Sequence, residues 1–117
     1  MRRPAPSREI PPPLELECLK ALWRLGEGTV HDVRGALAPD RALAYTTVMT
    51  VLDRLEKRGC VTRRKSGRSF IYAPKLTRET MRERAVKELA GGFFDGSEEA
   101  LLGYLRERAA RAAPPQQ

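Results

Sequence analysis

The chain has 117 residues, 41% of them hydrophobic, with two cysteines and one histidine; this suffices for one compact domain plus an appendage and excludes two large cores. No metal-ligand cluster of usual spacing, nucleophile–base pair or phosphate-cradling glycine loop can be assembled from it, which argues against an enzyme and against a bound cofactor. The formal charge of +7 lies entirely in residues 41–75, which carry nine basic and two acidic side chains while the segments on either side are each neutral, the distribution of a footprint for a polyanion.

Residues 1–13, MRRPAPSREIPPP, hold five prolines and little apolar mass, and read as a flexible or polyproline-like arm. Its Arg2, Arg3 and Arg8 either brush phosphates or belong to a tail without a role. The Met1-Arg2-Arg3 start leads into prolines and charges instead of an apolar signal region, and no stretch approaches the roughly 18 apolar residues of a membrane span. A cytoplasmic protein without membrane insertion is expected.

From Leu14 to Leu25 the spacing predicts a helix with one stripe of Leu14, Cys18, Ala21, Leu22 and Leu25 and a second of Leu16, Leu19 and Trp23. So much apolar circumference must be covered from more than one side, by the domain core or by the C-terminal segment. Gly26 and Gly28 end it, and Thr29 with Asp32 three residues on forms an N-terminal cap for the next helix, whose buried face is Val30, Val33 and Leu37. Ala38-Pro39-Asp40 breaks that helix, and His31 falls on its solvent face as a surface residue without a role. Cys18 and Cys60 each sit in an apolar-patterned element, as buried thiols rather than a disulfide.

The stretch from Tyr45 to Arg58 is again helical: Tyr45, Val48, Leu52 and Leu55 form an apolar stripe, while Thr47, Thr50, Arg54 and Arg58 form another face flanked by Thr46, Asp53 and Lys57. Threonine lowers helix propensity slightly, so three of them are either tolerated surface residues or are there for close approach to another surface. In a DNA major groove Thr bonds base edges or touches a thymine methyl, and Arg bonds guanine twice. Lys57-Arg58-Gly59 closes the helix, after which Cys60 to Lys65 and Phe70 to Ala73 read as two strands joined at Ser66-Gly67 and stopped by Pro74. A threonine-rich helix followed by a hairpin crowded with Arg63, Arg64, Lys65 and Arg68 is the pattern of a winged helix-turn-helix.

Past Pro74, Thr77 opens a helix with Met81, Ala85 and Leu89 on one line and Val86, Leu89 and Phe93 on the next, which Gly91-Gly92 is expected to interrupt. Ser97-Glu98-Glu99 starts a last helix with Leu101, Leu102, Leu105 and Ala109. Two such helices are too small to bury their own faces, so they pack back on the first helix or on a second copy of the chain. The fold class is therefore mainly α with a small β hairpin: an arm at 1–13, a winged helix-turn-helix at 14–75, a short helical segment at 76–113 and a disordered tail at 114–117.

LAYTTVMTVLDRLEKRGCV with the following RRKSGRSFIY, and upstream LELECLKALWRLGEGTVHDVRGAL, closely resemble the signature of the penicillinase-repressor (BlaI/MecI) family of bacterial winged-helix transcription factors over residues 14–75. The resemblance implies a homodimeric, sequence-specific repressor on an inverted-repeat operator of double-stranded DNA, dimerising through Val86, Leu89, Phe93, Phe94, Leu101, Leu102 and Leu105. Thr46, Thr47, Thr50 and Arg54 are then expected to read bases, and Tyr45, Lys57, Arg58, Arg63, Arg64, Lys65, Ser66 and Arg68 to hold phosphates. Release by a membrane sensor protease that triggers cleavage in the C-terminal segment, near Gly91-Gly92-Phe93-Phe94, or by another inducing signal, is also implied. A copper-responsive branch of the family carries a cysteine-rich C-terminal motif that this chain lacks. The alternative from charge alone is a non-specific, chromosome-organising nucleic-acid-binding protein.

Overall fold

The structure is a computed structural model and describes residues 10–114. Its elements run α1 (Pro13–Leu25), α2 (Val30–Leu37), α3 (Tyr45–Lys57), β1 (Val61–Ser66), β2 (Ser69–Pro74), α4 (Arg78–Phe93) and α5 (Glu98–Ala112). Two compact units divide the chain between Met81 and Arg82, so the first turn of α4 belongs to the first unit.

In the first unit α1 packs against α2 and α3, and the hairpin closes the remaining side. Cys18, Leu19 and Leu22 of α1 meet Val33 and Leu37 of α2, Val48, Val51, Leu52 and Leu55 of α3, Val61 of β1 and Tyr72 of β2 in one core. Leu19, Leu22, Leu52 and Leu55 are fully buried, and each contributes about 1.5–3 kcal/mol of burial free energy. Inside this core the Cys18 thiol is pushed up to about 11, first by burial and then by the neighbouring Glu17 and Glu15. Cys60 is buried as well and the two form no disulfide.

The N-terminal boundary differs from the arm expected at 1–13. Ile10 packs against the core, Pro11 is buried, and Pro13 is the first residue of α1, where its missing N–H costs nothing. Arg2, Arg3 and Arg8 lie outside the described residues. The buried face of α1 is also turned from the predicted stripes. Glu15, Cys18, Leu19 and Leu22 are inside, while Leu25 is 44% exposed. Glu15, only 5% exposed, accepts a hydrogen bond of 2.9 Å from Nε of Arg58 at the end of α3, so one buried charge has its counter-charge.

α2 carries both halves of a capping box: the Thr29 hydroxyl accepts from the Asp32 N–H at 3.2 Å, and the Asp32 carboxylate accepts from the Thr29 N–H at 2.9 Å. The longer link to α3 is held by Arg34, whose Nε donates to the Leu43 carbonyl at 2.7 Å.

β1 and β2 pair antiparallel from Val61↔Pro74 to Ser66↔Ser69, so the two-residue loop is Gly67-Arg68, one residue beyond the predicted turn. Gly67 has φ +62 and Arg68 does not share that sign, the pattern of a type II′ turn, which wants glycine at its first central position. Tyr72 makes two further bridge bonds with Gly28, of 2.8 and 2.9 Å, so the segment before α2 edges the hairpin as a third, single-rung strand. At the hairpin's exit the Trp23 indole N–H donates to the Leu76 carbonyl at 2.9 Å.

In the second unit the Gly91-Gly92 interruption does not occur: both glycines lie inside α4. Glycine costs a helix about 1 kcal/mol per residue relative to alanine, which weakens it without ending it. The chain turns at Asp95 (φ +49) and Gly96 (φ +83) instead, with the Ala90 carbonyl accepting from Phe94 and Gly96 at 2.9 Å each. Ser97 then caps α5 by accepting from Ala100 N–H at 3.0 Å. No helix among the described residues is long and apolar enough to cross a membrane.

Candidate nucleic-acid interface

The buried residues of α3 are Val48, Val51, Leu52 and Leu55, spaced three, one and three apart. The opposite side is centred on Thr46, Thr50, Asp53 and Lys57, with Met49 along one edge and Arg54 along the other. This is a rotation from the expected arrangement. Tyr45 leaves the apolar stripe and is 39% exposed, its place in the core taken by Val51. Thr47 is half-buried at the margin, and Arg58 reaches back to Glu15. Thr46, Thr50 and Arg54 all face solvent.

Nothing caps the start of α3. Its N-cap is Ala44, without a side-chain hydrogen bond, and its first turn holds no acid, so the first N–H groups and the positive end of the helix dipole stay open to an anion. Tyr45 stands at this end with its ring 4.8 Å from that of His31 on α2. A cleft of about 230 Å³ runs from here to the hairpin, lined among others by His31, Tyr45, Met49, Arg68, Ser69 and Phe70. His31 was expected to be a surface residue without a role because a lone histidine on a solvent face carries no pattern; the approach of α2 to α3 gives it Tyr45 as a neighbour.

The hairpin residues Arg63, Arg64, Lys65, Ser66 and Arg68 are all exposed, but their cations are in two conditions. Arg64 makes a two-pronged pair with Glu27, both bonds 2.9 Å, which holds the Glu27 carboxyl below its usual range and raises Arg64 further. Arg63 lies 3.5 Å from Asp53 and spreads over the Phe70 ring at 4.6 Å. Lys57 lies 3.1 Å from the same Asp53. Lys65, Arg68 and Arg54, by contrast, make no ion pair among the described residues. The cationic surface is thus part open and part latched to its own carboxylates.

A three-helix core whose third helix presents an outward polar face beside a basic two-stranded hairpin defines a winged-helix DNA-binding regulator. Residues 12–113 match the family described as Penicillinase repressor. The chain is 41% identical over 97 residues to the transcriptional regulator BlaI of Mycobacterium tuberculosis, covering 81% of this chain and 70% of that protein. It is 28% identical over 83 residues to the penicillinase repressor of Bacillus licheniformis, covering 71% and 65%. The solution structure of the DNA-binding domain of the repressor BlaI superposes with a TM-score of 0.55 at 26% identity, over 65% of this chain and 93% of that one. The chain belongs to the penicillinase-repressor family and is a sequence-specific DNA-binding transcriptional repressor, a family that is not an enzyme class. The chromosome-organising alternative receives no support.

Proposed function

We propose that the protein acts in the cytoplasm as a homodimer that lays one α3 in each of two major grooves of an inverted-repeat operator. The observation that carries this reading is the outward face of α3: Thr46, Thr50 and Arg54 are exposed, unburdened by ion pairs, and stand beside a hairpin whose Lys65 and Arg68 are equally open. Thr46, Thr50 and Arg54 read base edges, with Thr47 at the margin. Tyr45, the open N–H groups of α3, Lys65, Ser66 and Arg68 hold the backbone that runs along the cleft, and Arg64 joins them as phosphate replaces its Glu27 partner, while Lys57 and Arg63 stay paired with Asp53. Arg58 serves the fold through Glu15.

Dimerisation falls to the second unit. Its Val86, Leu89, Phe93, Leu102 and Leu105 are 40%, 42%, 80%, 47% and 48% exposed, an apolar load that two-fold association would cover. Leu101 is buried and Phe94 stacks on Tyr104 at 5.5 Å, so these two belong to the unit's own packing. Release follows from cleavage of the C-terminal segment by a membrane sensor protease. Gly91, Gly92 and Phe93 are helical, which leaves the exposed turn at Asp95-Gly96 as the accessible bond region. Full-length protein persisting in induced cells whose target genes are switched on would reject cleavage.

Selection of bound fragments from genomic DNA tests the main reading. An inverted repeat with half-sites about 10 base pairs apart, or a multiple of that, is expected. On that operator Arg54→Ala costs about 1–3 kcal/mol and relaxes base preference at one position. Arg68→Ala weakens operator and random DNA alike and lowers the salt slope by about one unit. Equal losses from both variants on both DNAs would overturn the division between base and phosphate contacts.

A further inference from the structure

The outward face of α3 contains one residue of the wrong sign. Residues 41–75 hold only two acids, and one of them, Asp53, lies in line with Thr46, Thr50 and Lys57 at the centre of the face that meets a polyanion. Its Oδ2 is 3.1 Å from Nζ of Lys57 and its Oδ1 is 3.5 Å from Nη1 of Arg63, so both oxygens hold cations, one on α3 and one on β1. Stability does not account for this placement. The Lys57 side chain is 74% exposed and those of Arg63 and Asp53 are 36% and 37% exposed, and ion pairs this open to water contribute little to folding.

We infer that Asp53 is a specificity-determining residue, a reading that rests on α3 entering the major groove. The carboxylate lowers affinity for DNA at large in two ways. It repels phosphate, and it holds Lys57 and Arg63 to itself, so that they neutralise Asp53 instead of a backbone. The loss is offset only where a base edge presents an amino group to the carboxylate. In the major groove cytosine offers its N4 amino group, which donates to Asp or Glu; adenine sets its N6 amino group beside the N7 acceptor, which repels a carboxylate's second oxygen, and guanine and thymine present acceptors that a carboxylate meets with repulsion. Asp53 therefore works chiefly by exclusion, and the threonines beside it supply contacts that many sequences satisfy.

The test uses the full chain and its Asp53→Asn and Asp53→Ala variants, each checked for an unchanged thermal midpoint, since the residue is half-exposed and both its ion pairs are open to water. Binding to the selected operator and to a random duplex is measured across salt concentrations, and fragment selection is repeated with each variant. Wild type is expected to select cytosine at one position of each half-site. Asp53→Asn shifts that preference to adenine, the base that an amide side chain bonds in two places. Asp53→Ala loses preference there, binds random DNA about tenfold tighter, and steepens the salt slope by about two units as freed Lys57 and Arg63 each reach a phosphate. An unchanged selected base in both variants, or weaker binding to both DNAs with a shallower slope, overturns the inference and leaves Asp53 as a strut between helix and hairpin. A wild-type protein without operator preference would instead overturn the repressor reading, and this inference with it.

Discussion

The two compact units differ in how much core lies behind their exposed apolar side chains: the first leaves Leu25, Tyr45, Met49 and Phe70 at 44%, 39%, 42% and 40% around a sealed core, and the second has little core of its own. The first seals Leu19, Leu22, Val33, Val48, Leu52 and Leu55 to the last few percent of their surface, and every buried polar side-chain atom among the described residues has a partner. The second buries Ala90 and Leu101 but leaves six large hydrophobic side chains, Tyr104 among them, between 40% and 80% exposed. A sequence that closes one core so completely has no shortage of packing residues, so the open face of the second unit reads as an unfinished interface rather than as a poor core. The division matches the proposed roles: the reader must hold α3 and the hairpin rigid, while the second unit must be able to join and part.

Substitutions in the core and on the exposed apolar face should act on different properties of the molecule. Leu52→Ala removes a fully buried side chain from the middle of α3's inner face, and we expect the first unit to lose about 2–5 kcal/mol of unfolding free energy, read by urea denaturation. Leu105→Asp places a charge on a side chain that is already 48% exposed. It should leave the unfolding of the first unit unchanged and raise the dimer dissociation constant on the order of 10- to 100-fold, the scale of losing a well-placed interface anchor. Sedimentation across protein concentration checks this. If Leu105→Asp instead lowered the reader's stability while the protein stayed dimeric, the contrast between a closed unit and an open one would fail.

Element types were legible in the sequence because helix periods, caps and turn residues are local properties. Thr29 with Asp32, Ser97 ahead of Glu98, and Gly67 in the hairpin all act at the ends they marked. Helix registers were less legible, and for one reason: a charged residue on a buried face hides the face. Glu15 heads the spacing Glu15, Cys18, Leu19, Leu22, and reading it as a solvent position shifted the stripe of α1 toward Leu25. Its partner Arg58 lies 43 residues away, so no local pattern could show that the pair exists. The same holds for the latches on the interface. Asp53 and Lys57 stand four apart on one helix, but Arg63 and Glu27 acquire their roles only when the hairpin folds against α3 and against the turn before α2. Gly91-Gly92 failed as a break because propensity is a small penalty that a helix spends within its own length.

The smallest effect concerns the joint between α2 and the interface. The Asp32 carboxyl is held below its usual range, first by the Thr29 backbone N–H, then by the Thr29 hydroxyl, with His31 adding a minor attraction. A carboxyl whose folded-state pKa is depressed stabilises the fold fully above its unfolded value, about 3.9, and loses that contribution as pH falls through the lower folded value. Asp32→Ala should therefore cost about 0.5–1 kcal/mol at pH 7, the lower part of the range for helix caps because this one faces water. The difference between variant and wild type should narrow as pH drops from 5 toward 3. Asp32→Asn keeps an acceptor for the Thr29 N–H, so it should lose less at pH 7 and show no such narrowing. Because α2 begins beside the Tyr45 end of α3, fraying of this cap also frees His31 from the Tyr45 ring. A constant difference across the pH range would mean that the carboxylate charge plays no part in the cap, and that the hydroxyl of Thr29 alone holds the joint.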